Sequence, residues 1–148
     1  MGLSEAVKTV LRKKYATFQG RASRSEYWWF TLFYWLVFLA FAVLYILISA
    51  IIGDYSLSSA IHFVVMVPAA IFMIALIVPV LALQVRRLHD RNMSGWWYLG
   101  LTVLGIIPYV GFIASIALLV ISAMKGTDGP NKFGPDPLRP QATAEVFA

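Results

Sequence analysis

The chain has 148 residues, and its twelve lysine and arginine side chains outnumber seven aspartates and glutamates to give a net charge of +5. Hydrophobic residues make up 60% of the sequence and charged residues only 13%, whereas soluble domains are roughly half apolar and about a quarter charged. There is no cysteine, which excludes disulfides, thiolate nucleophiles and cysteine-based metal sites. The composition therefore excludes an ordinary soluble domain and indicates a single membrane domain over residues 1–148.

Residues 4–18 are predicted to form an amphipathic helix. Lys8, Arg12 and Lys13 fall on one side of it, and apolar residues recur on the other side at spacings of three and four residues. Such a helix can lie at the surface of an anionic cytoplasmic leaflet with its basic side chains towards the headgroups. It can equally pack against the rest of the protein, and the pattern leaves both alternatives open.

Three apolar blocks follow, at 27–52, 61–85 and 96–124, and none of them contains a charged residue. Each is longer than the roughly 20 residues that cross a bilayer core as a helix. The sequence therefore predicts an all-α integral membrane protein with three transmembrane segments. The first block is too long for the apolar core of a signal peptide, so it is interpreted as an uncleaved anchor.

The third block is 29 residues long, about 43 Å as one straight helix, and it is interrupted around Pro108. One interpretation is a single tilted span kinked at this proline. The other is a hairpin, which would give four helices. A turn in the middle of a bilayer leaves backbone groups unpaired unless protein buries them, so the single kinked span is favoured.

The charges of the connecting segments predict the membrane topology. Residues 1–26 hold six basic and two acidic side chains, and residues 86–95 hold three arginines and one aspartate, whereas the link at 53–60 holds one aspartate alone. The positive-inside rule places the N-terminus and the 86–95 loop in the cytoplasm of a multi-pass protein. Because the basic excess reports topology, nucleic acid is not an expected partner.

The loop "VRRLHDRNMSGWW" at 85–97 concentrates charge between two apolar blocks. If the second helix continues to Asp90, Arg87 and Arg86 lie three and four residues before it, at helical pairing distance. One guanidinium would then be held by the carboxylate, and the other would stay free. Ser94 is predicted to cap the next helix, whose first N–H groups favour an anion.

The tail at 125–148 is rich in glycine and proline, so it is predicted to be a loop. If the third block is a hairpin, this tail returns to the cytoplasmic face. Asp128 or Asp136 would then meet the arginines of the 86–95 loop, and Phe133 would insert into the helix bundle. With a single span, the two charged segments lie on opposite sides of the membrane.

Three polar stretches together resemble one family: "FQGRASRSEYWWF" before the first span, "RRLHDRNMSGWW" after the second and "GTDGPNKFGPDP" after the third. Over roughly residues 10–137 the chain resembles the small bacterial inner membrane proteins grouped as domain of unknown function 805 (DUF805). Asn92, Met93 and Lys132 depart from the residues usual in that family. The resemblance implies an inner membrane location and no established activity. The family positions are held here by Arg21, Arg24, Glu26, Trp28, Arg86, Arg87, Leu88, His89, Asp90, Ser94, Trp96, Asn131, Phe133, Gly134, Pro135, Asp136 and Pro137.

Enzymatic and transport functions find little support in these motifs. His89 and Asp90 lack the further ligands that a catalytic metal needs, and a Ser94–His89–Asp90 triad is excluded because adjacent residues cannot align the imidazole. No cofactor is expected. Ion and proton pathways usually show ionisable residues inside the spans, and the apolar blocks hold no acidic or basic residue except one histidine.

The sequence instead favours a structural or accessory membrane protein with a basic cytoplasmic interface. That interface would bind anionic lipid headgroups or a partner protein, through Arg21, Arg24, Glu26, Trp28, Arg86, Arg87, His89, Asp90, Ser94, Trp96, Asn131, Phe133 and Asp136. A homo-oligomer is compatible with this role. The alternatives are a subunit of an oligomeric channel or transporter and a lipid-modifying enzyme.

Overall fold

The computed structural model describes residues 1–52 and 62–139, and the side chains of Ile52 and His62 lie outside that description. The predicted outer link at 53–60 and the end of the tail at 140–148 also lie outside it. Within the described residues the protein is all-helical, as predicted, with one isolated β-bridge in the tail. The α-helices are α1 (Leu3–Lys8), α2 (Arg24–Ile52), α3 (Val67–Asp90), α4 (Trp96–Leu104) and α5 (Val110–Ala123), with π-helical segments at Thr9–Lys13 and His62–Met66.

The N-terminal segment, α1 with its π-helical continuation, is shorter than predicted and ends at Lys13. Its apolar face is buried against α2 and α3, with Ala6 and Val10 inaccessible to solvent. The packed alternative is therefore the observed one. Val10 belongs to the apolar cluster at this contact, together with Ala22, Phe30, Leu76 and Leu83.

In the part of the chain that the structure describes, two helices are long and apolar enough to cross a membrane. They cover Arg24–Ile51 and Phe63–Asp90, 28 residues each, which corresponds to about 42 Å of helix. Much of their surface consists of exposed large apolar side chains, such as Trp35, Leu39 and Ile71. Because soluble monomers rarely expose contiguous apolar surface of this extent, the surface is suited to contact with lipid.

The third apolar block is a hairpin, so the favoured single kinked span is wrong. Its two helices, α4 and α5, have 9 and 14 residues, and both are shorter than the roughly 20 residues of a full span. α4 starts beside Val85, since Gly95 packs directly on that side chain. α5 ends beside Arg87, whose Nε donates to the carbonyl of Ser122 at 2.9 Å. Both ends of the block thus meet the same end of α3.

The turn of the hairpin depends on close backbone packing and on proline. Gly111 lies against the backbone of Gly105, where any Cβ would overlap the carbonyl oxygen. Pro108 cannot donate a hydrogen bond to continue α4, and Tyr109 takes a positive φ of 64°. The turn keeps several of its N–H groups paired, for example Gly111 N to Ile107 O at 2.7 Å. This pairing removes much of the cost that disfavoured a turn within a bilayer.

The hairpin brings all three charged stretches to one end of the helix bundle. We call this the charged end, and it comprises residues 20–26, 86–95 and 125–139. The backbone N–H of Ala22 donates to Arg86 O at 3.0 Å, and that of Thr127 donates to Asp90 O at 2.8 Å. The N-terminal and C-terminal motifs are therefore hydrogen-bonded to the same turn of α3.

The first prediction concerns this topology. Because the chain lacks cysteine, single cysteines can be introduced at Glu5 and Leu138, both of which are exposed. We expect a membrane-impermeant maleimide to label both positions from the same side of sealed membrane vesicles. Labelling of the two positions from opposite sides would contradict the hairpin, and the unmodified chain provides the background control.

Candidate functional site

Arg87 is the most highly connected side chain of the charged end, and it is fully buried. Its Nε donates to Ser122 O, and its Nη2 donates to Met124 O. Its Nη1 donates to Ala22 O at 3.1 Å and pairs with the carboxylate of Asp90. One guanidinium thus joins the end of α3 to the end of α5 and to the segment before α2.

Asp90 accepts a second guanidinium, that of Arg21. Arg21 Nε lies 2.8 Å from Asp90 Oδ1, and both side chains are buried. The other two nitrogens of Arg21 donate to the carbonyls of Gly129 and Thr127, each at 2.6 Å. Asp90 therefore lies between Arg21 and Arg87. Through Arg21, it connects the tail loop to the segment before α2.

Glu26 and Arg86 form a separate buried ion pair. Glu26 Oε1 accepts from Arg86 Nη1, and the two side chains are 3% and 0% exposed. Ser23 and Glu26 have the spacing of a capping box, which predicts that Ser23 begins the first long helix. Ser23 does cap α2, since its Oγ accepts the N–H of Glu26 at 3.2 Å. The glutamate completes no capping box, because its carboxylate is directed to Arg86. The guanidinium that was expected to stay free is thus inside the protein, and its Nε and Nη2 have no partner among the described residues.

His89 is held by both flanking motifs. Its Nδ1 lies 3.1 Å from Gly20 O, and because a carbonyl only accepts, Nδ1 carries the hydrogen. Phe133 stacks on the imidazole with the rings 3.8 Å apart and 3° from parallel. Asn131 Nδ2 donates to His89 O and to Thr127 Oγ1, each at 2.9 Å. The family positions of the tail therefore fold onto the end of α3.

The tail carboxylates do not contact the arginines that the hairpin hypothesis assigned to them. Asp128 pairs with Lys125 at 2.8 Å on the exposed surface, and this hydrogen bond and charge lower the pKa of Asp128. Asp136 is buried, and its Oδ1 accepts the N–H of Leu138 at 2.9 Å. Arg91 donates to the carbonyl of Lys125. The carboxylate that the arginines share is Asp90.

The remaining predicted residues lie at the surface of the charged end. Arg24 is exposed and has no side-chain partner among the described residues. Trp28 and Trp96 are 38% and 76% exposed, as expected for tryptophans at a membrane–water interface. Ser94 precedes the first residue of α4 by two positions, and its Oγ accepts the N–H of Trp96 at 3.4 Å, so its cap is weak.

The arrangement binds segments of the chain to one another. His89 and Asp90 are adjacent in sequence, but the first contacts Gly20 and Phe133 while the second contacts two arginines. In residues 1–52 and 62–139, no group of three or more His, Asp or Glu side chains is placed to hold a metal ion. Apart from Arg86 Nε, Arg86 Nη2 and Arg91 Nε, the buried side-chain nitrogens of the described arginines donate to backbone carbonyls and carboxylates of the same chain.

Sequence reasoning missed the partners of two carboxylates. Arg21 is 69 residues from Asp90, and Arg86 is 60 residues from Glu26. Local helical spacing offered Asp90 either Arg86 or Arg87, and Arg87 is the one that pairs with it. One signal could have pointed to these pairs: single carboxylates stand beside arginines at the borders of the apolar blocks. Because buried charges must be paired, such carboxylates are expected to bind arginines.

The comparisons with known proteins agree with this assignment of motifs. The family model "Protein of unknown function (DUF805)" matches residues 15–135. The inner membrane protein YhaI of Escherichia coli K12 is 35% identical over 125 residues, which are 84% of this chain and 89% of that protein. The inner membrane protein YhaH of the same strain is 35% identical over 125 residues, 84% of this chain and 90% of that protein. No solved structure matches the chain.

The second prediction is that Asp90→Asn strongly destabilises the protein. The substitution leaves two buried guanidiniums without their shared negative charge, and breaking a buried pair in this way costs about 3–5 kcal/mol. Thermal unfolding in detergent micelles should show a clearly lower midpoint. Asp128→Asn is the matched control, because it removes the same charge from an exposed pair and should leave the midpoint nearly unchanged. Equal midpoints for the two variants would contradict a central role for Asp90.

The third prediction concerns Gly126, which lies directly against the carboxylate of Asp90. In Gly126→Ala, the new Cβ would overlap a side chain that Arg21 and Arg87 hold in place. Such overpacking costs about 1–3 kcal/mol, so the thermal midpoint should fall. Gly100→Ala is the control, since nothing lies within 4 Å of a Cβ at that helical position, and it should not lower the midpoint. A tolerated Gly126→Ala would show that the carboxylate can move.

Proposed function

The chain belongs to the DUF805 family of bacterial inner membrane proteins of unknown function, and from this membership we propose a non-enzymatic accessory role for it. In this proposal the protein is multi-pass, its charged end lies in the cytoplasm, and its exposed basic side chains contact anionic lipid headgroups. The buried charges have a different role, which is to hold the charged end together.

The orientation is supported by where the fold gathers the basic residues. The segment at 20–26, the end of α3 and the tail loop meet at one end, and each of these segments carries more basic than acidic side chains. Positive charge next to membrane helices is retained in the cytoplasm. The turn of the hairpin, Gly105 to Gly111, carries no charge, so it does not oppose this orientation.

The observation that carries the proposal is the two-sided N-terminal segment. Ala6 and Val10 are buried against the helices, whereas Lys8, Arg12 and Lys13 are exposed. The packing on α2 and α3 holds this basic face outward, where it is suited to the negative surface of a cytoplasmic leaflet. Arg86 and Arg87, which the sequence also offered for this contact, are fully buried, so a headgroup reaches them only if the cluster opens.

The non-enzymatic part of the proposal is supported by the contacts of the potentially reactive side chains. His89 and Asp90 hold Gly20, Phe133 and the arginines, and moving either one for chemistry would disrupt the charged end. An oligomeric channel subunit is the alternative. Solute flux through proteoliposomes of the purified protein would favour that alternative, and turnover of lipid that depends on His89 would favour an enzyme.

The fourth prediction tests the basic face. Protein reconstituted in phosphatidylcholine is probed by electron paramagnetic resonance with spin-labelled phosphatidylglycerol and, separately, spin-labelled phosphatidylcholine. We expect the anionic lipid to be enriched next to the protein at low salt and less so at high salt, since salt screens exposed charges. In the Lys8→Gln/Arg12→Gln/Lys13→Gln variant, the enrichment should fall towards that of phosphatidylcholine.

The matched control exchanges lysine and arginine at the same three positions, which keeps the charge and alters the side chains. It should retain the enrichment. If the glutamine variant also retains it, the basic face does not contact lipid, and a protein partner becomes the better explanation for the exposed charges.

A further inference from the structure

A pocket of about 250 Å³ opens at the charged end between the first residues of α2 and the tail loop. Its wall includes three cationic side chains, Arg21, Arg24 and Lys125, and three carboxylates, Asp90, Asp128 and Asp136. Ser23 and Ser25 add hydroxyl groups at the start of α2. The lining of the pocket thus carries both signs of charge.

Most of these charges are already paired. Arg21 binds Asp90 and two carbonyls, and Lys125 binds Asp128. Arg24 and Asp136 are the two charged residues of this lining that have no ion pair among the described residues. The guanidinium of Arg24 has no side-chain partner among the described residues, and Asp136 accepts one backbone N–H at Oδ1. The pocket therefore offers one available cation and one available carboxylate oxygen.

An apolar groove of about 510 Å³ lies between α2 and the hairpin. Trp28, Leu32 and Trp35 line it from α2, and Leu118 and Leu119 line it from α5. The groove is open at the surface of the bundle, since Trp35 and Leu119 are each 58% exposed. A groove of this kind is suited to a hydrocarbon chain.

The pocket and the groove follow one another along the same seam. Arg24 in the pocket and Trp28, Thr31 and Trp35 in the groove are spaced by four, three and four residues, which places them in one stripe of α2. On the facing side, Leu118 and Leu119 precede the pocket residues Lys125 and Gly126. A polar site thus continues into an apolar one in the direction from the charged end towards the centre of α2.

We propose that this seam binds one phospholipid molecule whose headgroup is a zwitterion with a primary ammonium group. The phosphate would bind Arg24 beside the hydroxyls at the start of α2, the ammonium would bind Asp136, and an acyl chain would occupy the groove. This site is separate from the basic face of the N-terminal segment. It selects a lipid by the phosphate and primary ammonium of its headgroup rather than by net charge.

The carboxylate of Asp136 is the reason for expecting a zwitterion. A headgroup with a phosphate and a neutral diol would satisfy Arg24 but would place its negative charge near an unpaired carboxylate. A quaternary ammonium would be attracted to Asp136 but could not donate a hydrogen bond to it. A primary ammonium supplies both the positive charge and the donors.

The fifth prediction uses the full-length protein in detergent. Short-chain phosphatidylethanolamine, phosphatidylglycerol and phosphatidylcholine are titrated separately, and affinity is measured from the shift of the thermal midpoint. We expect phosphatidylethanolamine to bind roughly tenfold more tightly than the other two, the gain typical of one charge-assisted hydrogen bond. Phosphoethanolamine without acyl chains should bind much more weakly, because it leaves the groove empty.

Three variants divide the site into its parts. Asp136→Asn should remove the preference for phosphatidylethanolamine, and Arg24→Gln should weaken binding of all three lipids. Leu119→Trp, at an exposed position that lines the groove, should weaken binding of the three lipids and leave binding of phosphoethanolamine unchanged. The glutamine variant of the N-terminal basic face should keep the preference, so failure of the previous proposal would not affect this result.

Two outcomes would overturn the inference. The first is equal binding of the three lipids by the unmodified protein, which needs no variant to be folded. The second is a preference for phosphatidylethanolamine that survives Asp136→Asn, because the carboxylate would then not be its cause.

Discussion

The shared carboxylate of Asp90 is the contact on which the arrangement of the chain depends. It lies between Arg21, which precedes the first long helix, and Arg87, which is one turn before the end of the second. Through these two guanidiniums it is linked to the carbonyls of Ser122 and Met124 at the end of the hairpin and of Thr127 in the tail. Three stretches that are distant in sequence, around residues 21, 87–90 and 122–127, therefore meet at one buried negative charge.

A polar cluster has more influence on the fold here than it would have in a soluble protein. Lipid solvates apolar side chains as well as other helices do, so burial of apolar surface gives little drive for helix association within a bilayer. The helices expose most of their large apolar side chains, and the buried apolar cluster around Val10 and Phe30 is small. Buried ion pairs add little net stability but discriminate between arrangements. We infer that the buried ion pairs of the charged end, rather than the apolar cluster, select this arrangement of helices.

The sequence predicted what depends on local spacing or on composition. The helical class follows from the length of the apolar blocks, and the Ser23 cap follows from the spacing of Ser23 and Glu26. Spacing also restricted the partner of Asp90 to Arg86 or Arg87, and the structure selects Arg87. The hairpin could not be predicted in this way, because Pro108 is compatible with a kink and with a turn. Contacts of Arg87 with Ser122 and Met124, 35 and 37 residues away, distinguish the two. No local sequence pattern shows which distant groups a guanidinium binds, and those partners determine the position of the tail.

The charge balance of the cluster explains why its arginines point at carbonyls. Among the described residues, the ion pairs of Arg21, Arg86 and Arg87 involve two carboxylates, Glu26 and Asp90, so one positive charge of the paired groups is in excess. Ser122 and Met124 lie at the C-terminus of α5, where unpaired carbonyls carry partial negative charge. Arg87 satisfies these carbonyls, and they in turn stabilise the excess charge. Because this neutralisation is internal, Arg21 and Arg87 need no outside anion, and recognition of lipid is left to the cations outside the cluster.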